Sequence, residues 1–206
     1  MARRGFFITF EGPEGSGKSS QARQLVQALQ RAGCRVTFVR DPGSTALGRR
    51  LRTVLLHDDV PHLGALTEAL LFIAGRVQLV EEFIKPALRR NRIVVCDRFH
   101  DSTVSYQGFG GQLDWRWLDR LGRRAIGNLM PALTILLDVP TPVGFRRLRH
   151  RKDRMEQKAR VFHQRVRQGY RRLARREPRR FVVLDATQPK ATIHRQILDV
   201  VLSKLR

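Results

Sequence analysis

The chain is short of cysteine, short of acid and without any long apolar run. Its two cysteines, Cys34 and Cys96, share no metal-ligand spacing, which argues against a cysteine-built metal site. Cys96 lies inside an apolar strand and is expected as a buried thiol. No apolar stretch approaches the roughly 18 residues of a membrane span. The opening Met1-Ala2-Arg3-Arg4 leads straight into a strand with no apolar signal region, so a cytoplasmic location is expected. The acid deficit is the largest departure: 18 Asp+Glu against 40 Lys+Arg, a formal charge of +22. That balance demands polyanionic contacts. A mononucleotide site uses only a handful of cations, leaving a solvated arginine-rich surface or a nucleic-acid footprint for the rest. Basic runs such as Arg171-Arg172-Leu173-Ala174-Arg175-Arg176 carry no interleaved aromatic for base stacking, and charge alone supports non-specific binding without assigning a role.

What is present is a globular composition, 42% hydrophobic over 206 residues, enough for one α/β domain spanning 1–206. The stretch that organises it is Gly12-Pro13-Glu14-Gly15-Ser16-Gly17-Lys18-Ser19. It follows the apolar run Phe6-Phe7-Ile8-Thr9-Phe10 and precedes Ser20-Gln21-Ala22-Arg23-Gln24-Leu25-Val26. This is GxxxxGK[ST] between a buried strand and a helix, the context the pattern requires. Glycines let the backbone wrap an anion, so that N–H groups and the positive end of the helix point at phosphate oxygens. Lys18 would reach the terminal phosphates of ATP, and Ser19 would hold Mg²⁺.

Short apolar strands alternate with helical segments along the chain, the pattern of a parallel sheet covered on both faces. After Phe6–Phe10 come Arg35–Val39, Ile93–Asp97, Leu133–Asp138 and Phe181–Asp185, giving five strands. Helices are expected over about Thr45–His57, Leu63–Arg90 and Pro189–Leu205. In the second, Leu66, Leu70, Ile73, Val77, Val80 and Ile84 form one apolar stripe, core in the main and able to extend into a dimer seam. Ligands of such sheets gather at the carboxyl ends of the strands. Asp97 is therefore placed beside the phosphate loop as a second Mg²⁺ ligand, direct or through water.

Four further stretches accompany the loop: Arg40-Asp41-Pro42-Gly43, Leu71-Phe72-Ile73-Ala74-Gly75-Arg76, Asp97-Arg98-Phe99, and Ser102-Thr103-Val104-Ser105-Tyr106-Gln107-Gly108. In this order and spacing they resemble the bacterial thymidylate kinases, from Phe7 to Asp185-Ala186-Thr187-Gln188-Pro189. The resemblance implies a three-layer P-loop NTPase fold with a mobile lid at about 147–157. It also implies transfer of the γ-phosphoryl group of ATP to dTMP, and a homodimer. Arg40, Arg52 and Arg98 match the arginines that hold the acceptor 5′-phosphate, in keeping with the bidentate geometry of guanidinium. Phe72 matches the plate on which thymine stacks, and Arg76, one helical turn later, the donor to a thymine carbonyl. Ser102, Thr103 and Gln107, with Tyr106 beside them, match residues that read the base edge and surround the sugar. Glu14 matches the loop acid that contacts the 3′-hydroxyl and organises the reacting phosphates.

Some members carry an arginine at the position of Gly15; those lacking it use lid arginines. The basic segment Arg147-Leu148-Arg149-His150-Arg151-Lys152-Asp153-Arg154-Met155-Glu156 places this chain in the second group. Arg151 and Arg154 are the expected catalytic arginines, Arg149 is third, and Arg147 is expected against adenine. Phosphoryl transfer needs charge stabilisation at the equatorial oxygens more than a general base, and a lid arginine arriving with ATP would supply it. Two departures stand out. Arg40-Asp41-Pro42-Gly43-Ser44-Thr45 replaces the usual Arg-Glu-Pro-Gly-Gly-Thr, and Phe99 stands where tyrosine or histidine is common. They leave open a kinase for another pyrimidine nucleotide, such as dUMP or a modified one, and the charge leaves open a basic nucleic-acid-binding P-loop protein.

Overall fold

The computed structural model describes residues 5–56, 63–148 and 153–205. Five parallel strands, β1 (Phe6–Glu11), β2 (Val36–Arg40), β3 (Ile93–Asp97), β4 (Leu133–Asp138) and β5 (Phe181–Asp185), form one sheet in the order β2-β3-β1-β4-β5. Each expected strand is present within one residue at either end. The phosphate-loop strand is central, and β3 lies beside it in the register Phe10 to Asp97. The carboxyl ends of β1 and β3 therefore open at the same place, where the strand order reverses on either side of β1.

Alternation along β1 sorts the core. Ile8 and Phe10 face α1 (Lys18–Arg31) and α9 (Lys190–Leu205), packing with Leu25, Leu29, Ile193 and Ile197. Phe7 points the other way, to a cluster with Val94, Cys96, Phe99, Val80 and Ile84. Cys96 is buried, as expected, and burial pushes its thiol pKa up. On that second face Thr9 shares a hydrogen bond of 3.0 Å with Thr134. Arg180 donates to Thr134 at 2.8 Å and reaches both oxygens of Asp101 at 2.7 Å. Buried polar side chains under a sheet are tolerable only when paired in this way.

The expected Thr45–His57 helix is α2 (Ala46–Leu56), which starts where Thr45 Oγ1 accepts the Gly48 N–H at 2.7 Å. The expected Leu63–Arg90 helix is α3 (Ala65–Leu79), a π-helical turn at Val80–Ile84, and α4 (Lys85–Arg89). The wide turn comes just before Pro86, whose missing N–H an α-helical ladder could not accommodate. Of the apolar stripe, Ile73, Val80 and Ile84 are buried, whereas Leu66 and Leu70 are 45% and 47% exposed. Helix α5 (His100–Thr103) runs into a second π-helical stretch, Val104–Gly110, followed by α6 (Trp115–Ala125), α7 (Thr141–Arg146) and α8 (Arg160–Arg176).

Exposed arginines are spread over the surface and are dense on α6, at Arg116, Arg120 and Arg124, and on α8, at Arg171, Arg172, Arg175 and Arg176. Folding brings Arg116, Arg172 and Arg176 within 5.2–5.3 Å of the Trp115 ring. The Arg171–Arg176 run itself holds no aromatic, and tertiary packing supplies one from α6. Among the described residues no helix is long and apolar enough to cross a membrane.

Candidate active site

The phosphate loop takes the backbone its glycines allow. Gly15 has φ +65, and a Cβ there would lie 2.0 Å from the carbonyl oxygen of Gly144, so no side chain fits while α7 packs against the loop. This gives a physical reason for the missing arginine at that position. Gly12, at φ +143, is likewise closed in by the Leu137 carbonyl oxygen at 2.4 Å, and Gly17 caps α1. Lys18 folds over the loop, donating to the Pro13 carbonyl at 2.7 Å and to Ser16 Oγ at 3.1 Å. Burial, then the nearby charge of Arg98, lowers its pKa to about 7 despite the opposing carboxylates Glu14 and Asp97. Such an ammonium is short of negative charge, which a phosphate would supply.

A cavity of about 280 Å³ opens beside the loop. Glu14, Gly15, Gly17, Lys18, Ser19 and Ser20 form one wall. Arg40, Arg52 and Arg98 line it near the loop; burial and the charges of Arg40 and Arg98 push the Arg52 pKa down to about 10. Cations that depress one another are the electrostatic imprint of an anion site. Phe72, Arg76, Ser102, Thr103, Tyr106 and Gln107 line it as well, Ser102 and Tyr106 within 3.2–3.3 Å of the Arg98 guanidinium. The expected acceptor residues, from β2, α2, α3 and the segment after β3, thus converge on one space.

Arg76 is held firmly. It is 1% exposed, donates through Nε to Asp41 Oδ2 at 2.5 Å and through its second amino group to Thr103 Oγ1 at 2.8 Å, while Nη1 is buried without a partner. Asp41, noted in the sequence only as a shortened carboxylate, is the anchor of this guanidinium. Burial raises its pKa and the charge of Arg76 opposes the rise.

Between the two ends lie two buried carboxylates. Glu14 accepts from Tyr106 Oη on one oxygen, and its other oxygen is 3.2 Å from His163 Nδ1. Burial would raise its pKa, but the hydrogen bond from His163 and the charges of Arg98 and Lys18 outweigh it and hold the group at about 2. Glu11 accepts the Phe99 N–H at 2.8 Å, Ser102 Oγ at 2.6 Å and Tyr170 Oη at 3.0 Å. Its pKa is raised to about 7 by burial and then by Asp101. Together they surround Arg98, a non-glycine residue at φ +67 whose guanidinium meets Ser102, Tyr170 and Tyr106 at 3.2–3.3 Å. Glu11, His163 and Tyr170 escaped the sequence reading. The available signals were an acid ending an apolar strand, and polar residues on the apolar stripe of α8 that holds Phe162, Val166 and Leu173.

Of the lid residues, Arg149 and Arg151 fall outside the described residues. The Arg154 guanidinium donates to the Val54 carbonyl, and Arg154 is not among the residues that line the cavity. The neighbouring Met155 is drawn into the apolar wall with Leu55, Leu56 and Tyr106, which turns Arg154 toward α2. Arg147 donates to the Ala186 carbonyl at 2.8 Å, beside the loop that follows β5.

Asp97 does not line the cavity but accepts from Ser19 Oγ at 2.5 Å and lies 3.6 Å from Arg40. Among the described residues no group of three or more His, Cys, Asp or Glu could hold a metal by itself. A hydroxyl and a carboxylate in contact are hard oxygen donors, the limited set with which a protein holds Mg²⁺ when phosphates and water complete the shell. The donor set fits that ion.

The thymidylate kinase family model matches residues 10–197. The chain belongs to the thymidylate kinase family. It is 46% identical over 196 residues to a thymidylate kinase of Deinococcus radiodurans, covering 94% of this chain and 95% of that one. It is 48% identical over 191 residues to that of Thermomicrobium roseum, covering 91% and 90%. The fold superposes on the crystal structure of thymidylate kinase from Ehrlichia chaffeensis with a TM-score of 0.78 at 32% identity, covering 96% of this chain and 99% of that one. A parallel sheet covered on both faces was expected from the alternation of elements and a P-loop NTPase fold from the resemblance, and both the five-stranded parallel sheet and the phosphate loop are present.

Proposed function

We propose that this chain is a dTMP kinase, transferring the γ-phosphoryl group of ATP to the 5′-phosphate of dTMP with release of ADP. An acceptor phosphate oxygen forms the new P–O bond as the bond to the bridging oxygen of ADP breaks. The observation that carries the reading is the two-ended cavity. Arg40, Arg52 and Arg98 line it near the phosphate loop, and Phe72 lies one turn from Arg76, whose buried Nη1 lacks a partner. A flat base with a carbonyl to offer suits the far end, and a phosphate the near one.

Lys18 draws charge from the transferring phosphoryl group, and the loop N–H groups hold the donor phosphates. Arg98 orients the attacking phosphate, with Glu11 and Glu14 holding its surroundings. Glu14 also accepts the sugar 3′-hydroxyl, and Ser102, Thr103, Tyr106 and Gln107 surround sugar and base. Ser19 and Asp97 would hold Mg²⁺, which would neutralise donor phosphate charge. Arg147, beside Ala186, suits the adenine side, and Arg151 with Arg154 remain the lid arginines of this reading. It is a cytoplasmic enzyme of one domain over 1–206. Exposed Leu66 and Leu70 on α3, with Trp117 on α6 at 42% exposure, are the face for a second copy. Sedimentation of the wild type against Leu66→Glu/Leu70→Glu tests that assembly.

ADP release measured with dTMP, dUMP, dCMP, dGMP and single-stranded DNA tests the function. Turnover highest with dTMP supports it. Preferred turnover of another nucleotide would move the reading to a different pyrimidine kinase, and DNA binding without turnover to the basic surface.

A further inference from the structure

The wall of the base site contains an amide whose orientation is set from behind. Gln107 lines the cavity at 1% exposure. Its Nε2 donates to Glu68 Oε2 at 3.1 Å and lies 3.9 Å from Met155 Sδ, while its Oε1 is buried without a partner. Glu68 sits on α3 at 1% exposure and takes no part in the mechanism above. Lys158, in the segment just before α8, places its ammonium 2.7 and 3.0 Å from the two oxygens of Glu68.

The chemistry allows one arrangement. Paired with an ammonium, Glu68 is a carboxylate and only accepts hydrogen bonds, so the amide must turn its NH₂ toward it. The reverse orientation would set a carbonyl oxygen against a carboxylate oxygen at about 3 Å. The unpartnered Oε1 is therefore an acceptor held in place for something that donates. On a pyrimidine edge, thymine and uracil present N3–H, a donor; cytosine presents a bare N3, an acceptor.

We infer that Glu68 is a specificity-determining positioning residue: by fixing the Gln107 amide, it makes the site select bases carrying N3–H over cytosine. This rests on the dTMP reading above. It assigns to the Lys158–Glu68–Gln107 chain a role distinct from that of Arg76, which meets a carbonyl.

The test is kcat/KM for dTMP, dUMP and dCMP in the wild type, Glu68→Gln, Lys158→Met and Gln107→Met. A wild type that prefers neither dTMP nor dUMP to dCMP defeats the dTMP reading itself. Given that preference, Glu68→Gln offers both donor and acceptor and frees the amide to turn. The dTMP-to-dCMP ratio should then fall roughly 10-fold or more, mainly through KM, with the dTMP-to-dUMP ratio unchanged. Lys158→Met strips the buried Glu68 carboxylate of its ammonium and should lower the dTMP-to-dCMP ratio in the same direction as Glu68→Gln, with the dTMP-to-dUMP ratio unchanged. Gln107→Met removes the amide and should lose the dCMP discrimination as Glu68→Gln does, which keeps the inference testable if the Glu68 variant fails to fold. An equal loss for all three nucleotides, or an unchanged dTMP-to-dCMP ratio in Gln107→Met, would overturn it.

Discussion

The donor and acceptor sides of the cleft are built in different ways. On the donor side, most of the polar contacts that shape the loop are made within a few residues of chain, Lys18 bonding Pro13 and Ser16 and Gly17 beginning α1, with Ser19 to Asp97 the long-range exception. On the acceptor side each recognition group is held from a distant segment. Arg76 is held by Asp41 and Thr103, Gln107 by Glu68, and the Arg98 loop by Glu11 and Tyr170. A loop that wraps a phosphate needs only permitted backbone torsions and a helix end. A site that reads a base and seats a second phosphate needs several side chains fixed at once, and in a buried wall each must be paired or lose more than it contributes.

If this contrast is sound, a donor-side change should cost catalysis without stability, and an acceptor-side change should cost both. The largest effect expected is Lys18→Ala, with kcat lower by roughly 10³-fold or more and the melting temperature close to wild type. Turnover near wild type in the folded variant would remove the phosphate-loop assignment. Next is Asp41→Ala, which leaves the Arg76 guanidinium buried and unpaired. Urea unfolding should show a loss of about 3–5 kcal/mol, with a raised KM for dTMP; a loss below about 1 kcal/mol would put Arg76 outside the rigid wall.

The smallest effect lies in the pH dependence of stability. With a folded pKa of about 7 against the usual 4.5, Glu11 keeps a proton in the folded chain that the unfolded chain releases between those values. Its contribution is full below pH 4.5 and is lost as pH rises to about 7, by up to about 3 kcal/mol. Glu11→Gln stays neutral throughout and should flatten the curve across that window. Unfolding curves of variant and wild type at about pH 5 and about pH 8 check it, and parallel curves would contradict it.

What could be read in advance follows the same division. The strands, the glycine loop and Ser19 beside a strand-ending Asp97 were legible, because periodicity and torsional demands are local. Family motifs named Arg76 and Gln107 but not their holders. Asp41 looked like a shortened glutamate, and Glu68 drew no reading at all. The π-helical turn before Pro86 and the outward Leu66 and Leu70 were equally hidden, since period alone does not say which part of a stripe another element covers.

By itself the sequence determined a parallel α/β sheet, a phosphate loop at the end of its first strand, and the residue types that meet a nucleotide, because each depends on neighbours within a helical turn or a strand pair. Only the tertiary structure decided which carboxylate holds which guanidinium. It turned Arg154 toward Val54, closed the space beside Gly15 with the Gly144 carbonyl, and buried Glu11 and Glu14 on either side of Arg98. Those outcomes depend on which strand lies beside which and on what water is excluded from, and no local stretch of chain encodes either.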